Sequence, residues 1–128
     1  MSRKIIETGN AARPVGPYSQ GVAAGGFVFV SGQAAQDPAT GELIGGDVRA
    51  QTERVLKNIS AVLEAAGSGL ERVVKMNVFL TDMDDFAAMN EVYGRFFKTA
   101  PPARTTVAVA RLPIGAIVVI EAVATLDG

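Results

Sequence analysis

The run Ala116–Leu126 is the most apolar stretch of the chain, and it limits what the rest can fold into. A strand reading Ile117-Val118-Val119-Ile120 and then Ala122-Val123-Ala124 has no polar side to turn toward water, so both of its faces must be covered. Glu121 interrupts it. A carboxylate taken out of water without partners is strongly unfavourable, so Glu121 needs a cationic or hydrogen-bonding partner to stay charged.

The segments before that strand supply the cover. Lys4–Thr8 reads as a short strand, and a Gly- and Pro-rich loop, residues 9–17, follows it. Residues 20–24, the turn Gly25-Gly26 and Phe27–Val30 read as a hairpin that Ser31-Gly32-Gln33 closes. Glycine at 32 lets a ligand approach the main chain, although a simple turn accounts for it as well. From Asp47 the apolar positions Val48, Val55, Ile59, Val62, Leu63 and Ala66 recur at helical spacing, with Asp47 as N-cap and Gly67 as stop. Val73–Leu80 is a strand whose apolar face is Val74, Met76, Val78 and Leu80, with Lys75 and Asn77 diluting the other. A second helix starts at Asp82 and buries Phe86, Met89, Tyr93, Phe96 and Phe97 in the core; Asn90 lies beside that stripe, within reach of a cleft.

The order is therefore β-β-β-α-β-α-β-β, a single α+β domain over residues 1–128 with about six strands and two helices on one face of the sheet. The other face still carries Val, Ile and Ala, a larger patch than a monomer leaves in water, so self-association in a closed ring is expected.

Pro101-Pro102 holds the chain extended just before Arg104, which puts a permanent cation at the mouth of a strand. Thr106, Ala108 and Ala110 share its parity and leave space before the guanidinium. A planar fork of donors in such a space suits a carboxylate or a phosphate; an ion pair with a surface acid is the plainer alternative. If the last two strands form a hairpin about residues 112–115, Glu121 falls near Thr106, with Arg104 one step along the same face.

Composition removes many chemistries. The 128 residues contain no His and no Cys, so an imidazole base, a thiolate nucleophile, a disulfide and the usual zinc sites cannot be built. With 12 basic and 13 acidic residues spread along the chain, there is no basic footprint for nucleic acid. No apolar run approaches the ~20 residues of a membrane span. The start is too polar for a signal peptide, so a cytoplasmic protein is expected. No dinucleotide or P-loop fingerprint occurs, and no cofactor or metal is expected.

Gly16-Pro17-Tyr18-Ser19-Gln20, Phe29-Val30-Ser31-Gly32-Gln33, Gln51-Thr52 with Asn58, Val78-Phe79-Leu80-Thr81-Asp82-Met83, Asn90-Glu91-Val92-Tyr93, Pro102-Ala103-Arg104-Thr105 and Ala110-Arg111-Leu112-Pro113 together resemble the RidA (reactive intermediate/imine deaminase A) family in order and spacing. The likeness runs through essentially the whole chain. It implies a chorismate-mutase-like α+β fold, a homotrimer with clefts between subunits, and hydrolysis of 2-imino acids such as 2-iminobutanoate and 2-iminopropanoate to 2-oxo acids and ammonia. By the same resemblance, Arg104 clamps the substrate carboxylate, Tyr18 lines the cleft from the neighbouring subunit, and Glu121 orients or deprotonates the attacking water. Ser31, Gly32, Asn90 and Thr106 complete the pocket. Thr106 stands where the family frequently has Cys, which removes thiol chemistry there. The competing expectations are a trimer that binds small carboxylates without turnover or acts like a chaperone, and the ribonuclease or translation-inhibitor activity attached to some relatives.

Overall fold

The computed structural model describes residues 2–127. It contains strands β1 (Lys4–Ile6), β2 (Gly21–Ala24), β3 (Phe27–Gln33), β4 (Val73–Leu80), β5 (Ala103–Ala108) and β6 (Val118–Thr125), with helices α1 (Val48–Ala65) and α2 (Phe86–Phe96). The α+β reading holds. All six strands form one open sheet in the order β1-β2-β3-β6-β4-β5.

The helix ends follow local chemistry. The Asp47 carboxylate accepts from the Ala50 amide at 3.1 Å and caps α1. At the other end Gly67 takes φ +84°, its amide reaches Glu64 O, and Ser68 N reaches Leu63 O, which closes α1 in a Schellman motif. Asp82 caps through the Asp84 amide at 2.9 Å, but what it starts is a 3-10 turn, Met83–Asp85, from which α2 continues.

Both helices lie on one face of the sheet. Val55, Leu56, Ile59, Val62 and Leu63 of α1 and Met89 of α2 pack with Val28, Met76, Val78, Leu80, Val118 and Ile120 of the sheet. Phe86, expected in this core, is 36% exposed at the first turn of α2. Val74 is exposed too, because a register shift between Val73 and Lys75 leaves it outside the ladder, and Val73 takes the buried place.

The last two strands do not form a hairpin. β6 lies in the middle of the sheet, antiparallel to both β3 and β4, while β5 pairs parallel to β4 at the edge. The central position buries alternate residues of β6 under the helices and leaves the others, Val119, Glu121 and Val123, half-buried on the open face, so within one chain only one of its faces is fully covered. It also moves Glu121 away from Thr106. The cross-strand row that contains Glu121 runs through Asn77 to Thr105, and the row that contains Arg104 runs through Met76 to Ala122.

Candidate active site

Alternation along a strand turns those two rows to opposite sides of the sheet. Met76 and Ala122 are buried against the helices, so Arg104 belongs to the helix face. Its guanidinium carbon lies 4.7 Å from the centre of the Tyr93 ring and 5.7 Å from that of Phe86, both on α2. No carboxylate lies within ion-pair distance of Arg104 among the described residues, so the surface-acid alternative does not hold. Tyr93 OH, Asn90 Oδ1 one turn before it on α2, and Thr106 Oγ1 two residues along β5 from Arg104 are buried without a hydrogen-bond partner. Burial pushes the Tyr93 phenol above its usual pKa, and the nearby Arg104 charge only partly opposes this. The guanidinium is close to the hydroxyl, but the two do not meet at hydrogen-bonding geometry.

The open face carries the second group. β3 shifts register between Val30 and Gln33, opposite Ala122 and Ile120, so Ser31 and Gly32 together face the single residue Glu121. This two-against-one bulge brings three of the expected residues together. Glu121 Oε2 accepts from Asn77 Nδ2, and Lys75, Asn77, Glu121, Ser31, Val22 and Phe29 line a cavity of about 220 Å³. The partner that Glu121 requires is therefore an amide, with an ammonium group on the same wall. A β-carbon at Gly32 would sit 2.9 Å from Val119 Cγ1, which explains why this edge of the bulge has no side chain.

Tyr18 arrives by way of the loop over residues 9–17. The buried Gln20 side chain pins that loop, accepting from Thr8 N at 2.7 Å and donating to Thr8 O, Ala11 O and Ala12 O. Ser31 is tied to the same segment, with Oγ donating to Ser19 O and its amide to Gln20 O. The Tyr18 hydroxyl accepts from Val15 N at 3.1 Å and the ring is 45% exposed, on the wall of a wide groove of about 1110 Å³ that also includes Arg13 and Gln36.

The expected residues thus fall into two sets. Arg104, Thr106 and Asn90 are gathered on the helix face beside the β5 edge, and Ser31, Gly32 and Glu121 on the open face, with Tyr18 on the loop tied to Ser31. Within one chain the sheet separates them.

The sequence profile described as endoribonuclease L-PSP matches residues 8–126. The chain belongs to this family. The 2-iminobutanoate/2-iminopropanoate deaminase of Bos taurus is 44% identical, with 97% of this chain and 90% of the bovine protein aligned. The crystal structure of RidA from an Antarctic Psychrobacter superposes with a TM-score of 0.92 at 48% identity, covering 95% of this chain and 98% of that one. E. coli TdcF with bound serine superposes at 0.91 and 46% identity, with the same coverage. The RidA resemblance of the sequence is thereby borne out, as is the fold it implied. Sequence reasoning did not single out Asn77, which reads only as a polar break in an apolar strand; Tyr93 is in the core as expected, but the pattern does not show that its ring lies against Arg104. Their roles come from cross-strand register and helix placement, which periodicity does not carry. Among the described residues no helix is long and apolar enough to cross a membrane, and no cluster of His, Cys, Asp and Glu could hold a metal.

Proposed function

We propose that this protein hydrolyses reactive 2-imino acids, such as 2-iminobutanoate and 2-iminopropanoate, to 2-oxo acids and ammonia. The observation that carries the reading is an arginine fork without an acidic partner among the described residues, set on two aromatic rings beside unpartnered polar atoms. Such a fork takes a carboxylate through two parallel charge-assisted bonds, each contributing about 1.5 to 3 kcal/mol. The bovine relative's name and the serine in the TdcF structure support a small amino-acid-like substrate.

The two sets of residues meet when copies of the chain associate. The open face carries an apolar row, Ile5, Val22, Phe29 and Val123, and a second one, Val119, Phe79 and Val107. Ile5, Phe29 and Val107 are each about two-fifths to one-half exposed in the single chain (43%, 48% and 39%), a patch that a second copy would cover. In a cyclic trimer, Arg104, Thr106 and Asn90 of one subunit face Glu121, Ser31, Gly32 and Tyr18 of the next.

Arg104 holds the carboxylate and so fixes C2 of the imine relative to Glu121. Water attacks C2 of the protonated imine as the C=N π pair moves to nitrogen, and one of its protons passes to the Glu121 carboxylate, which leaves a neutral carbinolamine. The carbinolamine nitrogen then takes that proton and leaves as ammonia, while the hydroxyl proton goes to water and the carbonyl forms. A positioned base contributes about 10²- to 10⁴-fold. An iminium carbon is already electrophilic, and this sequence of steps uses no covalent nucleophile. The ribonuclease named in the family's description has little support here, since the chain has no His and a net charge of −1. A cytoplasmic site of action fits the cysteine-free composition.

The test is trapping. Semicarbazide captures imine released by a dehydratase; the protein lowers the captured yield and Arg104→Ala does not. Equal yields with wild type and variant reject the proposal, and saturable binding of a 2-oxo acid without any change in imine lifetime favours the non-catalytic carboxylate binder.

A further inference from the structure

We infer that Tyr93 is the positioning residue for Arg104, its ring face fixing the plane in which the guanidinium presents its donors. The inference rests on Arg104 as the carboxylate receptor. Arginines held at a fixed angle are usually held by an acid, which occupies the fork and cancels the charge. Arg104 has no such partner among the described residues; instead its guanidinium carbon lies 4.7 Å from the Tyr93 ring centre, within the range where a ring quadrupole attracts a cation. An aromatic face restrains the fork from one side and leaves its N–H edge unoccupied. The ring itself is fixed. Tyr93 is 5% exposed, lies in the core cluster, and packs on Phe97 with ring centres 4.8 Å apart.

The phenol oxygen lies close to the guanidinium but does not meet it at hydrogen-bonding geometry, so the ring face is the larger contact. Burial also keeps it in the neutral form, so no phenolate forms an ion pair with Arg104 at ordinary pH. The ring and not the hydroxyl is therefore the working part. Tyr93→Phe keeps it, and Tyr93→Met keeps most of the volume without a quadrupole.

Two readouts separate this inference from the function it rests on. The first is the Arg104 Nε–H signal in a ¹H–¹⁵N correlation spectrum of the full chain, assigned by its loss in Arg104→Lys. Tyr93→Phe should preserve its ring-current shift, and Tyr93→Met should remove most of it, leaving the smaller contribution of the Phe86 ring 5.7 Å away, and narrow the line as the side chain becomes more mobile. The second is the KM for 2-iminobutanoate, which should rise about tenfold in Tyr93→Met with kcat within about twofold, and return toward wild type in Tyr93→Phe. A Tyr93→Met protein with an unchanged Arg104 signal and unchanged KM overturns the inference. If the signal responds as described while wild-type protein neither turns over imine nor binds 2-oxobutanoate, Tyr93 still positions Arg104 and the deaminase reading is what fails.

Discussion

Asn77 donates from Nδ2 to Glu121 Oε2 across 2.9 Å, from the position directly opposite on the neighbouring antiparallel strand. One carboxylate oxygen is thereby occupied, and the other accepts no hydrogen bond among the described residues. A glutamate held by one oxygen has a defined free lone pair, which is what a water-activating base requires. Lys75, on the same wall, is itself engaged with Thr105 Oγ1 at 2.9 Å.

Asn77→Ala should lower kcat for 2-iminobutanoate about tenfold and leave KM within about twofold, because the base loses its orientation while the carboxylate receptor on the opposite face is untouched. Steady-state kinetics with semicarbazide trapping would read this. A change confined to KM would place Asn77 in substrate binding instead.

Arg104→Lys should behave almost as badly as Arg104→Ala. An ammonium is a point charge that cannot match a carboxylate with two parallel bonds, and its compact, strongly hydrated head sits less well on an aromatic face. Loss of one charge-assisted bond raises KM about 10- to 100-fold. A lysine variant with near-normal KM would show that charge alone is sufficient and that the fork is irrelevant.

Arg104 and Glu121 lie on opposite faces of one sheet, so each complete site should use two chains. Arg104→Ala and Glu121→Gln should each be inactive as pure assemblies. After subunit exchange of an equal mixture, about a quarter of the sites in a cyclic trimer would pair an intact Arg104 with an intact Glu121, and activity should return to about that fraction. No recovery from a mixture shown by mass spectrometry to contain hybrid assemblies would refute a shared site. Sedimentation of wild-type protein gives the subunit number directly.

Much of the fold could be read from residue pattern alone. The N-cap at Asp47, the stop at Gly67, the hairpin about Gly25-Gly26 and β4 at Val73–Leu80 are local features, and each is found where its local chemistry puts it. Strand order was not legible in the same way. The pattern about residues 112–115 predicts a hairpin turn between β5 and β6, yet the connection spans residues 109–117 and carries β6 across to pair with β3 and β4. The pattern held the clue, because only a central strand is as apolar as Ala116–Leu126, whereas Ala103–Ala108 alternates like an edge. Of the proposed site, Arg104 stands out as a cation at a proline-stiffened strand mouth with small neighbours, and Glu121 as a charge inside an apolar strand. Asn77 and Tyr93 do not, since an amide in a strand and an aromatic in a helix stripe are ordinary until their neighbours are known.

Gly32→Ala tests the bulge. The added methyl would lie 2.9 Å from Val119 Cγ1, and a β-branched neighbour has few rotamers to yield with. The variant should lose about 1 to 3 kcal/mol of stability in denaturant titration and lose activity as the Ser31–Glu121 juxtaposition shifts. Adding Val119→Ala makes room and should recover part of the activity. If the double variant is no better than the single one, the glycine is needed for something other than space.

Tyr93 gives the protein an alkaline limit. Its folded pKa is raised by burial, with Arg104 opposing, so the folded state holds the phenol proton more tightly than the unfolded chain does. That contribution to stability is complete below the unfolded value of about 10 and is lost as pH rises through the folded one. Thermal midpoints measured from pH 8 to 11.5 should therefore fall at the alkaline end. Tyr93→Phe removes the titrating group together with an unpartnered buried hydroxyl, so its midpoint should exceed that of wild type at pH 8 and the gap should widen above about pH 10. A gap that stays constant across that range would mean the Tyr93 proton is not linked to folding, and a variant less stable at pH 8 would mean the hydroxyl has a partner after all.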